Sequence, residues 1–245
     1  MTQWDRSKGS DESKGRMMRK ALIGFVALGL AALAPAAPAT PDDVLSLHGV
    51  QDFEKVAELR FSFVVTRGGE ESARHWQWEP ATGRVRLEED GVVTEYNRFA
   101  MTDDPATTTA DKKWINDTFW AYWPIHARWA TDATITIEAP AANPLSGAEQ
   151  PRLVIAYPPD GGGYTPGDRY ELYLGEDGLP TAWTFHRGGA EEPSLACTFE
   201  RYVTAGPLVL ASDHQTTGGG FRLEIRDVAV RLAGSDELLA ATPAE

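Results

Sequence analysis

Apolar residues recurring at every second position, turn signals at short intervals and one aromatic stretch at helical spacing predict an α+β, mainly β chain. The expected architecture is a curved antiparallel sheet with short helices covering its concave face. The alternation is clearest where Phe221, Leu223 and Ile225 stand against Arg222, Glu224 and Arg226. Strands with one buried and one wetter face belong to antiparallel sheets, whereas parallel βαβ strands read as continuous apolar runs.

The elements follow in order. Met18-Arg19-Lys20, an apolar run over 21–34 and the small-residue stretch 34–39 form the three-part pattern of a secretory signal peptide. The run stops at Pro35, short of the roughly 20 apolar residues of a membrane span. Cleavage near Ala37 or Thr40 is expected, leaving no stable membrane anchor and releasing the chain outside the cytoplasm. The polar stretch 4–16 is unusual ahead of a signal, and Met17 or Met18 is the alternative start of translation. Residues 40–233 then read as a single domain and 234–245 as a polar C-terminal tail.

Thr40-Pro41-Asp42-Asp43 is a helix start, with a hydroxyl cap, proline at the first position and carboxylates near the positive end of the dipole. Val44, Leu45 and Leu47 give that helix its apolar side and Gly49 a stop; Phe53 and Val56 suggest a second short helical piece. Beyond it the period is two: Phe61, Phe63 and Val65; Trp76 and Trp78; Val85 and Leu87; Ile135 and Ile137; Leu153, Ile155 and Tyr157; Tyr170, Leu172 and Leu174; Trp183 and Phe185. Gly68-Gly69, Asp90-Gly91, Asp177-Gly178 and Gly188-Gly189 are hairpin signals between them. Residues 139–150 read as a loop. After Ile225 the apolar phase shifts to Val228, Val230 and Leu232, which requires a bulge or a break near Asp227.

The chain has 245 residues, 23 Lys+Arg against 36 Asp+Glu, a formal charge of −13, one cysteine and eight tryptophans. Without residues 1–39 it carries 17 basic and 33 acidic residues, a net −16. That balance argues against nucleic acid and against an anionic lipid surface as principal partner, since both need a Lys/Arg excess. Cys197 alone excludes an intramolecular disulfide framework and a cysteine-rich zinc site. An apolar share of 42% is too high for a disordered chain.

The aromatic segment runs from Trp114 to Pro124. Asn116 is the expected cap, Pro124 the end, and Ile115, Phe119, Tyr122 and Trp123 share a helical face with Trp120 on its flank. Two turns are not stable alone, so the rings must dock on the sheet, either as a plug in its core or as a mobile cover over an apolar cavity. The glycine-rich stretch 161–168 lacks the Lys-Ser/Thr and following helix of a phosphate loop and reads as a turn between strands.

The order of Trp76-Gln77-Trp78, the Asn116 to Trp120 segment closed by Pro124, the Gly-Gly-Tyr-Thr-Pro-Gly-Asp hairpin at 162–168 and Trp183-Thr184-Phe185 resembles uncharacterised secreted bacterial proteins related to the LolA-like family. The resemblance covers most of residues 44–232. LolA and LolB carry lipoproteins between bacterial membranes, and the resemblance implies a half-open antiparallel barrel, covered by helices around an apolar cavity, in the periplasm. The expected function is a binding or carrier protein for a hydrophobic or acylated ligand, a lipid or lipoprotein. Phe61, Phe63, Trp76, Trp78, Leu172, Trp183 and Phe185 would line the sheet side of the cavity, and Phe119, Trp120, Tyr122 and Trp123 the helix side.

No cofactor or metal is expected: His48, His75, His126, His186 and His214 are scattered, without a His-x-x-x-His pair. By parity with Trp183 and Phe185, His186 should face solvent. An enzyme would require Asp117, His126 and Cys197 to converge. An interaction module working through acidic loops, with all its rings in the core, is the remaining alternative.

Overall fold

The computed structural model describes Pro38, residues 40–160 and residues 166–244. The signal segment and most of the glycine-rich turn therefore lie outside the described residues. Helix α1 (Pro41–Leu47) opens as its sequence requires: Thr40 Oγ1 accepts from the Asp43 amide at 3.2 Å and Asp43 Oδ2 from the Thr40 amide at 2.9 Å. Gly49 follows at φ 71°, and a Cβ there would sit 1.8 Å from the Pro207 carbonyl oxygen, so only glycine lets the chain pass this strand end. A 3-10 turn over Val50–Lys55 leads into the strands.

Four strands form a meander: β1 (Val56–Arg67), β2 (Glu70–Glu79), β3 (Arg84–Glu89) and β4 (Val92–Asn97). Asp90 and Gly91 both take positive φ, the two-residue turn whose twist matches a hairpin. Helix α2 (Pro105–Trp129) follows. A second meander comprises β5 (Thr134–Ala142), β6 (Glu149–Ala156), β7 (Arg169–Leu174), β8 (Pro180–His186) and β9 (Leu195–Thr198). The chain returns through β10 (Glu200–Ala205), β11 (Leu208–Gln215) and β12 (Phe221–Leu232), and β12 pairs with β1. Residues assigned by sequence to a polar tail include β13 (Leu238–Ala240), on β12, and β14 (Thr242–Pro243), on β10.

The fold is thus mainly antiparallel β, divided between a nine-stranded sheet in the order β14-β10-β11-β12-β1-β2-β3-β4, with β13 on β12, and a five-stranded sheet in the order β5 to β9. Neither is closed into a barrel. The loop expected over 139–150 is shorter, because β5 runs on through Pro140 to Ala142. Proline is admissible there: β5 is an edge strand with a register shift between Glu138 and Ala141.

The phase shift after Ile225 is a bulge. Asp227 takes φ 54°, the register jumps between Arg60 and Ser62, and Ser62 Oγ donates to Asp227 Oδ2 at 2.8 Å. β12 therefore buries Leu223 and Ile225, then Val228 and Val230, in one continuous strand. Replacing Asp227 with valine puts a β-branched residue in the left-handed region and removes the acceptor for Ser62. A loss of about 2 kcal/mol in urea denaturation is expected, with Asp227→Asn costing less than half as much.

Two expectations are corrected here. The aromatic segment is not a two-turn helix from Asn116 to Pro124 but part of α2, 25 residues long and capped by Asp104, which accepts from the Ala106 and Thr107 amides. Asp104-Pro105 repeats the cap-proline signal of Thr40-Pro41. Pro124 does not end the helix: Tyr122 leaves helical geometry (φ −151°, ψ 62°) and the helix resumes, a kink that relieves the clash of the proline ring with the preceding turn. His186, placed by parity on the outer face of the second sheet, is nevertheless buried. That face is not open solvent at His186: Thr184 Oγ1 lies 3.0 Å from Nε2, the Ala190 carbonyl oxygen 2.9 Å from Nδ1, and Glu171 beside it is held by Arg152 and Arg169.

Candidate functional site

Helix α2 packs against both sheets. On the first, Trp114 meets Trp78 edge to face at 4.9 Å, and Tyr122 stacks on Phe53 while donating to the His48 carbonyl at 2.6 Å. On the second, Trp120 meets Trp183 at 4.3 Å and Phe119 lies 4.5 Å from Tyr170. One polar anchor fixes the helix. Arg74 Nε and Nη2 donate to the two Asp117 oxygens at 2.6 and 2.7 Å, and Trp76 Nε1 donates to the same carboxylate at 2.8 Å. The Asp117 side chain is 0% exposed.

Where the sheets part beside the helix, they leave an open cleft of about 1330 Å³. This exceeds the roughly 300–1,000 Å³ of ordinary small-ligand sites. Its apolar wall is a run of rings: Phe119, Tyr170, Trp183, Phe185 and Phe221, with Phe63 from β1. Tyr170 is stacked 5.4 Å from Trp183 and 5.1 Å from Phe185, which makes the wall one contiguous aromatic cluster. Phe119, Phe185 and Phe221 are half-buried, and Trp129 at the rim is 46% exposed.

Of the residues expected from sequence, Phe63, Phe119, Trp120, Trp183 and Phe185 come together on this lining. Phe61, Trp76, Trp78, Tyr122, Trp123 and Leu172 are placed in the packed core instead. Along α2, Tyr122 and Trp123 are buried in the core, while Ile115, Asn116, Phe119 and Trp120 line the cleft. Tyr170 and Phe221 also line it, as do Trp114, Trp129 and several arginines. Tyr170 and Phe221 share the parity of Leu172 and Leu223, so alternation marks them as inward-facing. Only the meeting of two sheets tells which inward residues see a cleft.

The chemistry-bearing residues do not form a nucleophile–base set. Asp117 is committed to Arg74 and Trp76; burial pushes its carboxyl up, against the pull of those hydrogen bonds. Thr118 Oγ1 donates to the Trp114 carbonyl, so at 2.9 Å it accepts the His126 Nε2 proton; burial and the nearby Arg98 charge bring His126 down to about 3. Cys197 sits opposite Trp183 in the strand register, its thiol pushed up by burial to about 12, which denies it thiolate character. A serine, a histidine and an aspartate do meet at Ser62, His75 and Asp227. There the serine bridges, its proton on Asp227 and its oxygen toward His75 Nδ1, which leaves no imidazole to activate it. Among the described residues no group of three or more His, Cys, Asp or Glu could hold a metal, and no helix is long and apolar enough to cross a membrane.

No protein-family model and no curated protein matches the chain. Among solved structures, a DUF1329 family protein from Desulfovibrio piger ATCC 29098 is similar at 12% identity with a TM-score of 0.42, covering 79% of this chain and 93% of its own. MucB is similar at 14% identity with a TM-score of 0.24, covering 81% of this chain and 64% of its own. In outline, and only in part, the chain is similar to these two structures.

Proposed function

We propose that the protein is a binding or carrier protein for a hydrophobic or acylated ligand, held in the cleft between the two sheets and the edge of α2. The observation that carries this reading is the half-buried ring wall of Phe119, Phe185 and Phe221, backed by the stacked Tyr170 and Trp183. Rings that only filled a core would be closed off, as Tyr122 and Trp123 are. Burial of an alkyl chain along this wall would contribute about 25 cal/mol per Å² of apolar surface removed from water. The pattern of residues 18–39 supports a periplasmic setting, and the ligand would then be a lipid, or the acyl chains of a lipoprotein.

A fluorescent fatty-acid probe tests this. Binding is expected to change tryptophan emission, since Trp120, Trp129 and Trp183 all touch the cleft. Phe185→Ala with Phe221→Ala should weaken the probe by roughly tenfold, the equivalent of about 1.4 kcal/mol. A probe that neither binds nor perturbs the emission refutes the proposal.

A further inference from the structure

We infer that the ligand's polar end is an anion, a carboxylate or phosphate carried on an apolar chain, seated at the mouth of the cleft by Arg67 and Arg187. This deepens the binding reading above and rests on it.

Charge distribution is the first support. After residue 39 the chain has 17 basic and 33 acidic residues, yet the described cleft lining holds five basic side chains (Arg67, Arg74, Arg98, Lys112, Arg187) against four acidic (Glu70, Glu71, Asp132, Asp168). Two of those acids are engaged elsewhere: Glu71 accepts from Arg226 at 2.9 Å and Asp168 from the Gly188 amide at 2.7 Å. On a strongly acidic protein, the cleft lining is thus close to charge balance.

Stacking is the second. Three guanidinium groups lie over rings among the described residues, and in each case both members line the cleft: Arg67 at 5.6 Å from the Phe221 ring centroid, Arg74 at 4.7 Å from that of Phe63, Arg98 at 3.6 Å from that of Trp114. A stacked guanidinium spreads over apolar surface while its N–H edge stays available sideways. An apolar chain ending in an anion needs that combination.

The third is which of these cations are engaged. Arg74 is bound by Asp117 and Arg98 by Asp111, at 2.6 and 2.7 Å. Among the described residues, no carboxylate lies within 4 Å of Arg67 or Arg187. Arg67 ends β1 of the first sheet and Arg187 follows β8 of the second, so they reach the mouth from different sheets. In the proposed pose an anion accepts charge-assisted hydrogen bonds from these two exposed guanidinium groups of the lining, while its chain runs inward along Phe221, Phe185 and Trp183.

Competition against a neutral alkyl fluorophore, below the micelle threshold, separates the possibilities. Dodecanoate and dodecyl phosphate should displace the fluorophore at concentrations about tenfold lower than dodecanol, with dodecyltrimethylammonium weakest. The R67Q/R187Q double variant should lose this preference and keep its dodecanol affinity, which also certifies its fold because both side chains are exposed. Dodecanol matching dodecanoate on the native protein, or a preference that survives in the double variant, overturns the inference while leaving the cleft as a ligand site. Displacement by inorganic phosphate as effective as by dodecyl phosphate overturns the requirement for an apolar chain. Failure of the neutral fluorophore to bind at all defeats the cleft reading itself.

Discussion

Between pH 6.5 and about 4 the protein is expected to lose stability at about 2.7 kcal/mol per pH unit, the slope of two histidines that are neutral when folded and protonated when unfolded. The two are His48 and His214, 1% and 0% exposed. At each, Nδ1 lies within hydrogen-bond distance of a backbone carbonyl, Val209 at 2.8 Å and Thr198 at 3.0 Å, and a carbonyl can only accept. The proton is therefore on Nδ1. Nε2 is left bare, buried and without a partner in both rings. A second proton there would make a cation with nothing to accept its N–H, and burial accordingly lowers both groups to about 4. Because the folded values lie below the unfolded one, the unfolded chain takes up protons first. This stability is complete above pH 6.5 and drains as the pH falls toward 4. His126, at about 3, adds to the slope.

Carboxylates do not compete for this window. In Glu58, Asp213 and Glu224 burial pushes the carboxyl up, but arginine partners outweigh it, so their contribution is lost only below the unfolded value near 4. Asp117, raised by burial, works in the opposite sense to the histidines, but as one group against two or three. Urea midpoints at pH 7, 6 and 5 measure the slope. Asparagine in place of both histidines keeps a donor near each carbonyl and should flatten the profile, whatever it costs at pH 7. A native protein equally stable at pH 7 and 5 would contradict the account.

Local rules made most of the fold legible. Thr40-Pro41 announced α1, Asp90-Gly91 a hairpin, and the phase slip at Asp227 a bulge, because each depends on residues adjacent in sequence or on one strand. What was not legible came from competition between distant elements. The aromatic half of α2 reads poorly as an amphipathic helix because it is covered by two sheets at once: Trp114 and Asp117 face one, Phe119 and Trp120 the other, and no residue from Asp117 to Ala127 is exposed. Its first half, Pro105 to Lys113, is carried by the Asp104 cap and by Asp111 bonded to Arg98 rather than by apolar residues. His186 obeyed parity but not exposure, since a layer of ion-paired side chains replaces water on its face. At the candidate site, alternation found the inward rings, and sequence could not divide them between core and cleft. The arginines gave no signal, since on an acidic chain each reads as an ordinary solvated charge.

The Arg74–Asp117 pair carries the largest expected effect of a single substitution. Arg74→Met should destabilise the protein by about 3–5 kcal/mol, the range found when one partner of a buried ion pair is removed. The cost falls on the residue left behind: the Asp117 carboxylate is 0% exposed and would keep only Trp76 and Asn116 as donors. Methionine retains part of the packing over Phe63, so lost area is the lesser share. If the uncompensated charge is the cause, Asp117→Asn in the same chain should recover at least half of the loss, since a neutral amide needs no counterion. The pH dependence supplies a second check with its own sign. Without Arg74 the folded value of Asp117 rises further above the unfolded one, so the variant's deficit should be greatest at neutral pH and shrink as the carboxyl takes up its proton. That trend is opposite to the one the histidines impose on the native protein. A deficit of the Arg74→Met variant that stays constant between pH 7 and 5, or one that Asp117→Asn deepens, would mean that Arg74 matters for packing at the cleft wall and not as the counterion that lets α2 dock.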